Sequence, residues 1–105
     1  MTRFLFTILI SLVLLSFVSF CAQRVTQEQL KAQAQQFEKE ENFEQAVKIY
    51  EKLVMQYPKG KFSDEALYKL GILYSNNLKN FQKSVEAYIK LVENYPKSNY
   101  AAQAQ

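Results

Sequence analysis

Residues 42–59 read NFEQAVKIYEKLVMQYPK, and residues 80–97 read NFQKSVEAYIKLVENYPK. The two segments share ten identical residues, including the closing Tyr-Pro-Lys, at a constant offset of 38 positions. A repeat of this length is typical of stacked repeat proteins, whose units bury their apolar faces against neighbouring units. Because such proteins are usually scaffolds that hold other molecules, the repeat favours binding over catalysis.

The chain after residue 25 has the apolar spacing of helices, and no segment alternates with the period of a strand. Thr26 followed by Gln29 resembles a capping box at the start of the first helix. Pro58 and Pro96 end the second and fourth helices, and Ser63 is the predicted cap of the third. The predicted helices cover about 26–40, 43–56, 63–77 and 81–94.

The apolar residues of these helices fall at steps of three and four, so each helix has one face that is predicted to point inward. The predicted inward residues are Leu30, Ala34 and Phe37; Phe43, Ala46, Val47, Tyr50, Leu53, Val54 and Tyr57; Ala66, Leu67, Leu70, Gly71 and Tyr74; and Phe81, Val85, Tyr88, Leu91, Val92 and Tyr95. The sequence therefore predicts an all-α fold of two antiparallel helix pairs.

These positions resemble the tetratricopeptide repeat, a helix pair with Leu-Gly and Tyr on its first helix and Ala, an aromatic residue and a closing Pro on its second. The first unit matches as Leu30, Gln33, Ala34, Phe37, Ala46, Tyr50, Val54 and Pro58, and the second as Leu67, Leu70, Gly71, Tyr74, Ser84, Tyr88, Leu91 and Pro96. The resemblance implies a short α-solenoid. In it, a small residue such as Gly71 lets the partner helix approach closely, and Ser84 meets it from the other side.

The period exceeds the usual tetratricopeptide length, with extra residues between 58 and 71 and one more between Tyr74 and Ser84. The long segment 57–66 is similar to repeats of two groups of bacterial envelope proteins. These are the BamD-type lipoproteins of the β-barrel assembly machinery and the Tol-Pal-associated periplasmic coordinator. Residues 98–105 begin the same segment again. Since about three repeats normally cover a stack, one flank of the fourth helix is expected to lack a partner. The isolated domain is then either marginally stable or pairs through this flank with a second copy or another protein. A third alternative is that the chain is a truncated member of a longer family.

The N-terminal segment, residues 1–22, has one charge, Arg3, before an uncharged and mostly apolar run from Phe4 to Ala22. This order resembles a secretory signal. The run is also long enough to be a transmembrane anchor, since about 20 apolar residues cross a bilayer. Both interpretations predict export or membrane insertion.

Cys21 lies at the end of this run, where a bacterial lipoprotein signal places its lipid-acceptor cysteine. Val18 and Ser19 suit that motif, whereas Phe20 departs from the small residue expected before the cysteine. The favoured prediction is a lipoprotein anchored through Cys21, and the absence of Asp after it favours the outer membrane, facing the periplasm. An inner-membrane anchor and an unlipidated periplasmic protein are the alternatives.

The resemblance also implies a concave binding face, formed by the first helix of each pair, for extended peptides or partner helices. The predicted exposed residues of this face are Lys31, Gln35, Glu38, Tyr68, Ile72 and Ser75. Tyr68 and Ile72 lie one turn apart and could form a hydrophobic anchor. Alternatively, they contact a neighbouring helix. The carboxylate clamp of some family members is not expected, because Gln35 replaces the Asn that it requires.

Catalytic, metal and cofactor sites are not predicted. The chain has no histidine and one cysteine, and its two glycines do not form a phosphate-binding loop. Thirteen basic and ten acidic residues give a net charge of +3 without a charge run, which argues against nucleic-acid binding.

The sequence is therefore interpreted as a signal or anchor (1–22), two tetratricopeptide units (26–60 and 61–97) and the start of a third (98–105). The predicted function is a non-catalytic scaffold for envelope proteins, with a role in outer-membrane protein assembly. The alternatives are a soluble periplasmic adaptor of the Tol-Pal type and a single-pass membrane protein that self-associates through its repeats.

Overall fold

The computed structural model describes the backbone of residues 2–21 and 24–105 and the side chains of residues 2–11 and 24–105. Its helices are α1 (Thr2–Cys21), α2 (Gln27–Lys39), α3 (Phe43–Gln56), α4 (Ser63–Ile72), α5 (Phe81–Asn94) and α6 (Asn99–Ala104). No strand forms in these ranges, as the sequence predicts. The lipidation predicted at Cys21 concerns a side chain outside the described ones. A search of the described residues finds no helix with the length and apolarity needed to span a membrane.

Helix α2 begins at the predicted capping box. The Thr26 hydroxyl accepts a hydrogen bond from the backbone N–H of Gln29 at 3.2 Å, and the Gln29 side chain accepts one from the backbone N–H of Thr26 at 3.0 Å. Two backbone donors that would otherwise lack a partner at the helix start are thus satisfied.

Helices α3 and α5 begin in the same way because the two repeats begin with the same asparagine. The Asn42 and Asn80 side chains each accept a hydrogen bond from the backbone N–H three residues later, at 3.4 and 3.2 Å. The preceding residues, Glu41 and Lys79, both have positive φ angles, of 58° and 54°. The repeated sequence therefore encodes a repeated turn as well as a repeated helix.

Ser63 does not cap α4, so this prediction is wrong. Ser63 is the first residue of the helix, and Phe62, which precedes it, makes no capping hydrogen bond. The Ser63 hydroxyl instead donates to the carbonyl oxygen of Tyr57, and the residue is fully buried. The Pro-Lys-Gly turn places that carbonyl next to the start of α4, where it accepts the hydrogen bond of the buried hydroxyl.

The predicted end of the third helix near Asn77 is confirmed, but the helix ends with a π-helical turn, Leu73–Asn77. In the first unit, the Asn42 N–H donates to Phe37 O, five residues back. In the second unit, the Asn80 N–H donates to Tyr74 O, six residues back. The π-helical turn thus absorbs the extra residue of the second unit.

Helices α4 and α5 pack closely at Gly71. A methyl group added at Gly71 would lie 2.3 Å from a ring carbon of Tyr88. The Ser84 hydroxyl donates to Gly71 O at 2.7 Å. The small residues that the family resemblance implies at these positions therefore permit the packing of α5 on α4.

Each helix pair is closed at its open end by a tyrosine hydroxyl. Tyr57, which follows α3, donates to the carbonyl oxygen of Val25, just before α2, at 2.6 Å. Tyr95, which follows α5, donates to the carbonyl oxygen of Pro58, before α4. The same residue of the repeat therefore makes the same kind of hydrogen bond in both units.

The core runs along the stack between the two rows of helices. Its buried apolar residues are Leu30, Ala34, Ala46, Val47, Tyr50, Leu53, Ala66, Leu67, Leu70, Leu73, Tyr74, Ala87, Leu91 and Ala101. Most of them occupy predicted inward positions. Ala101 of α6 is fully buried, so the final short helix continues the same core.

Candidate protein-interaction site

The first helices of successive units, α2, α4 and α6, contact one another in a row. Lys31 of α2 forms an ion pair with Glu65 of α4 at 2.7 Å. Tyr68 of α4 lies 5.4 Å from the ring of Tyr100 on α6. We call the surface that these helices share the first-helix face. Five of the six residues that the sequence predicts for binding lie on these helices, and the sixth, Ser75, lies on the π-helical turn that continues α4.

Four charged residues of the first-helix face form ion pairs within the protein. Besides the pair of Lys31 with Glu65, Lys69 lies 3.4 Å from Glu38, whose carboxylate also accepts the Tyr50 hydroxyl at 2.5 Å. Glu38 thus joins α2, α3 and α4. Because both lysines already contact carboxylates of the protein, they do not form a ready clamp for a carboxylate ligand.

Tyr68 lies between two other tyrosine rings, with centroid distances of 6.2 Å to Tyr88 and 5.4 Å to Tyr100. It is half-buried, and so is Ile72 one turn later. Tyr68 therefore contacts neighbouring helices, as the alternative prediction states, and these contacts cover much of its side chain. Ile72 lies next to this cluster along α4 and keeps part of its side chain accessible.

The six predicted residues differ in exposure. Gln35 is exposed, whereas Lys31, Glu38, Tyr68, Ile72 and Ser75 are half-buried rather than exposed as predicted. The side chains of Lys31, Glu38 and Tyr68 are half-buried because each of them contacts a side chain of the other unit or of α6. Gln35 and the accessible parts of Ile72 and Ser75 are the parts of the face that these intramolecular contacts leave open.

Buried tyrosine hydroxyls next to carboxylates raise the question of acid–base chemistry. Burial, followed by the hydrogen bond to Glu38, raises the pKa of Tyr50. Burial and the hydrogen bond to Glu51 likewise raise the pKa of Tyr74. Both hydroxyls therefore stay protonated at neutral pH and serve as hydrogen-bond donors. No group of metal-binding side chains occurs among the described residues.

A second exposed surface lies on α5. Phe81, Val85 and Ile89 are 62%, 55% and 49% exposed, and Val92 is half-buried beside them. We call these four residues the α5 stripe. The prediction that Phe81 and Val85 point inward is wrong.

The repeat itself explains this exposure. Val47, the equivalent of Val85 in the first unit, is 5% exposed and lines a cleft with Tyr74 and Leu78 of the following unit. Among the described residues, only α6 lies beside the α5 stripe, where it contributes Ala104. Within the described residues, α5 therefore keeps exposed the positions whose counterparts on α3 are covered, although the periodicity of α5 alone indicates a buried face.

The fold and these surfaces define a helical-repeat protein that presents faces for other polypeptides. A family model described as tetratricopeptide repeat matches residues 32–60 and 65–98, which is more than half of the chain. The chain therefore belongs to the tetratricopeptide-repeat family, whose units generally mediate protein–protein interactions. Searches among curated proteins and solved structures gave no match.

Proposed function

We propose that this protein is a non-catalytic scaffold that binds other proteins at the bacterial cell envelope. The observation that carries the proposal is the pair of tetratricopeptide units, which occupies most of the chain after residue 25. The envelope assignment is supported by the apolar run that precedes the repeats and ends at Cys21. The resemblance of residues 57–66 to BamD-type repeats supports a role in outer-membrane protein assembly.

The proposed binding surface is the first-helix face around Gln35, Ile72 and Ser75. Four of its charges are neutralised by internal ion pairs, which lowers the attraction for a strongly charged ligand. The open groups are an amide, a hydroxyl and the accessible part of an isoleucine. A matching ligand is an uncharged peptide segment of an envelope protein with one apolar side chain flanked by polar residues.

A photo-crosslinking residue at Gln35 in the full chain tests this surface in living cells. We expect a discrete cross-linked envelope protein, and Ile72→Ser should remove it. Tyr68→Ser in addition should also abolish capture, but it disturbs the tyrosine cluster, so Ile72→Ser is the cleaner change. Met55→Ser is the matched control, because Met55 is 77% exposed and lies on α3. Unchanged cross-linking in the Ile72→Ser variant would argue against this binding face.

The location is tested by the intact mass of the protein from the membrane fraction, beside a Cys21→Ala variant. The proposal expects a diacylglyceryl-modified chain that starts at Cys21 and is lost in the variant. An unmodified chain cleaved near Ala22 would favour the soluble periplasmic adaptor. An uncleaved chain would favour the single-pass membrane protein that self-associates.

A further inference from the structure

The same two positions of the repeat are in contact at both junctions between first helices. Between α2 and α4, the Lys31 ammonium lies 4.3 Å from the centre of the Phe62 ring. Tyr68 follows Leu67 as Lys31 follows Leu30, so it holds the same position in the second unit. Tyr100 likewise repeats Phe62. The rings of Tyr68 and Tyr100 lie 5.4 Å apart at an angle of 38°, so the junction of α4 with α6 has an aromatic pair in place of a cation–π contact.

This aromatic pair is accessible from the first-helix face. Tyr68 and Tyr100 are both half-buried, and so are Lys31 and Phe62 at the junction of α2 with α4. Because a further first helix, α6, follows that junction, the partial exposure of these positions is a property of the repeat. A ligand that crosses the face can therefore contact the two tyrosine rings.

The hydroxyl of Tyr68 is a hydrogen-bond donor that the protein does not use. Four other tyrosine hydroxyls donate to carboxylate or carbonyl oxygens, namely those of Tyr50, Tyr57, Tyr74 and Tyr95. The Tyr68 hydroxyl has no such acceptor among the described residues. The amide of Gln35 and the hydroxyl of Ser75 are further accessible donors of the same face. A ligand with free carbonyl oxygens would satisfy these groups.

The charges and donors of the face favour an uncharged and extended ligand. Lys31 and Lys69 are held by Glu65 and Glu38, so a charged ligand would compete with carboxylates that are already in place. An α-helical ligand bonds most of its own carbonyl oxygens and would leave the donors unused. A polyproline II segment forms no internal hydrogen bonds, so its carbonyl oxygens are free to accept. Such segments bind to aromatic-lined grooves.

The pitch of a polyproline II segment also matches the spacing of packed helices. It has three residues per turn and rises about 3.1 Å per residue, so every third residue returns to the same side after roughly 9 Å. Neighbouring helices in proteins pack about 8–10 Å apart. A segment that crosses the first-helix face therefore presents one proline to Tyr68 and Tyr100 and the next to the junction of α4 with α2.

We propose that the first-helix face binds a proline-rich segment of another protein in the polyproline II conformation. A proline of this segment packs on Tyr68 and Tyr100, and one of its backbone carbonyls accepts the Tyr68 hydroxyl. This inference rests on the proposed function and names the chemistry of its ligand. A second copy does not supply such a segment, because the two prolines of the sequence, Pro58 and Pro96, each stand singly between a tyrosine and a lysine.

The test uses two fluorescent peptides, one of repeated Pro-Pro-Gln units and one in which alanine replaces every proline. Both are titrated against the full chain by fluorescence anisotropy. We expect the proline peptide to bind at least about tenfold more tightly, because its extended conformation is preformed and its rings contact the tyrosines. Higher salt should leave its affinity unchanged, since neither the peptide nor the open part of the face supplies an unpaired charge.

Three variants of the full chain locate the contact. Tyr68→Phe keeps the ring and removes only the donor, so it should weaken the proline peptide roughly fivefold. Tyr100→Leu removes the second ring and should weaken the peptide as well. Phe81→Leu is the matched control and should change nothing, because Phe81 is an aromatic residue that is 62% exposed on α5, away from this face.

Equal affinities of the two peptides would overturn the proposal, and so would a Tyr68→Phe variant that binds the proline peptide as tightly as the unmodified chain. A cross-link at Gln35 that Ile72→Ser removes, together with equal peptide affinities, would leave the first-helix face as a binding surface and refute only its preference for proline. Preferential binding of the proline peptide without a cross-link in cells would support that preference and refute the capture of an envelope protein.

Discussion

Val47 and Val85 allow the effect of burial to be measured directly, because they are the same residue type at the same position of the two repeats. Val47 is 5% exposed and Val85 is 55% exposed. We expect Val47→Ala to lower the free energy of unfolding substantially and Val85→Ala to have almost no effect.

The magnitudes follow from the burial of the two side chains. Removing two buried methyl groups costs about 1.6 kcal/mol of transfer free energy, at ~0.8 kcal/mol each. The cavity left at Val47 adds to this, whereas alanine returns about 0.5 kcal/mol of helix propensity at either site. The expected loss is therefore roughly 2 kcal/mol at Val47. At Val85, where less than half of the transfer term applies, it is within about 0.3 kcal/mol of zero.

Urea unfolding of the full chain and the two variants, followed by far-UV circular dichroism, measures the difference. The helix propensity term is common to both sites and cancels in the comparison. The difference between the variants should be at least about 1 kcal/mol, with equal m-values. Equal losses for Val47→Ala and Val85→Ala would refute the assignment of the α5 stripe as an open surface.

Three further predictions concern the helix caps, the contact of Gly71 with Tyr88, and the hydroxyl of Tyr50. Asn42→Ala and Asn80→Ala should each lower the free energy of unfolding by about 1 kcal/mol, because each removes a helix cap. Unequal losses in urea unfolding would contradict the equivalence of the two turns. Gly71→Ala should cost about 1 kcal/mol because the added methyl displaces the Tyr88 ring. In a Tyr88→Ala background the same change should become stabilising, and a double-mutant cycle without coupling would count against this contact. The pKa of Tyr50 is raised on folding, so the stabilising contribution of its protonated hydroxyl is complete below about pH 10 and is lost as the pH rises further. Tyr50→Phe should therefore make the fall in unfolding free energy above about pH 10 shallower. An unchanged slope in the variant would disprove this assignment.

The bounds of the helices could be predicted from the sequence because local signals determine them. Asn42 and Asn80 cap α3 and α5, and the prolines at 58 and 96 stop both helices, all within a few residues of the ends that they fix. Ser63 shows the limit of this reasoning. A serine before a helical segment suits a cap, but here the nearby carbonyl of Tyr57 takes its hydroxyl.

The candidate surfaces were less predictable because exposure depends on the other unit. The sequence of α2 places Lys31 and Glu38 on one side of the helix, but only the placement of α4 brings Glu65 and Lys69 within reach of them. The periodicity of α5 likewise predicts that Val85 points inward, because the apolar spacing of a helix face is the same whether or not another helix covers that face.

The hydrogen bonds from Tyr57 and Tyr95 have a consequence for how such a chain evolves. Both hydroxyls donate to a backbone carbonyl, of a valine in one unit and of a proline in the other. Every residue type supplies that acceptor, so a mutation at the acceptor position needs no compensating change in the tyrosine. A unit closed in this way can be duplicated or exchanged as a gene segment while the residues before its first helix diverge freely.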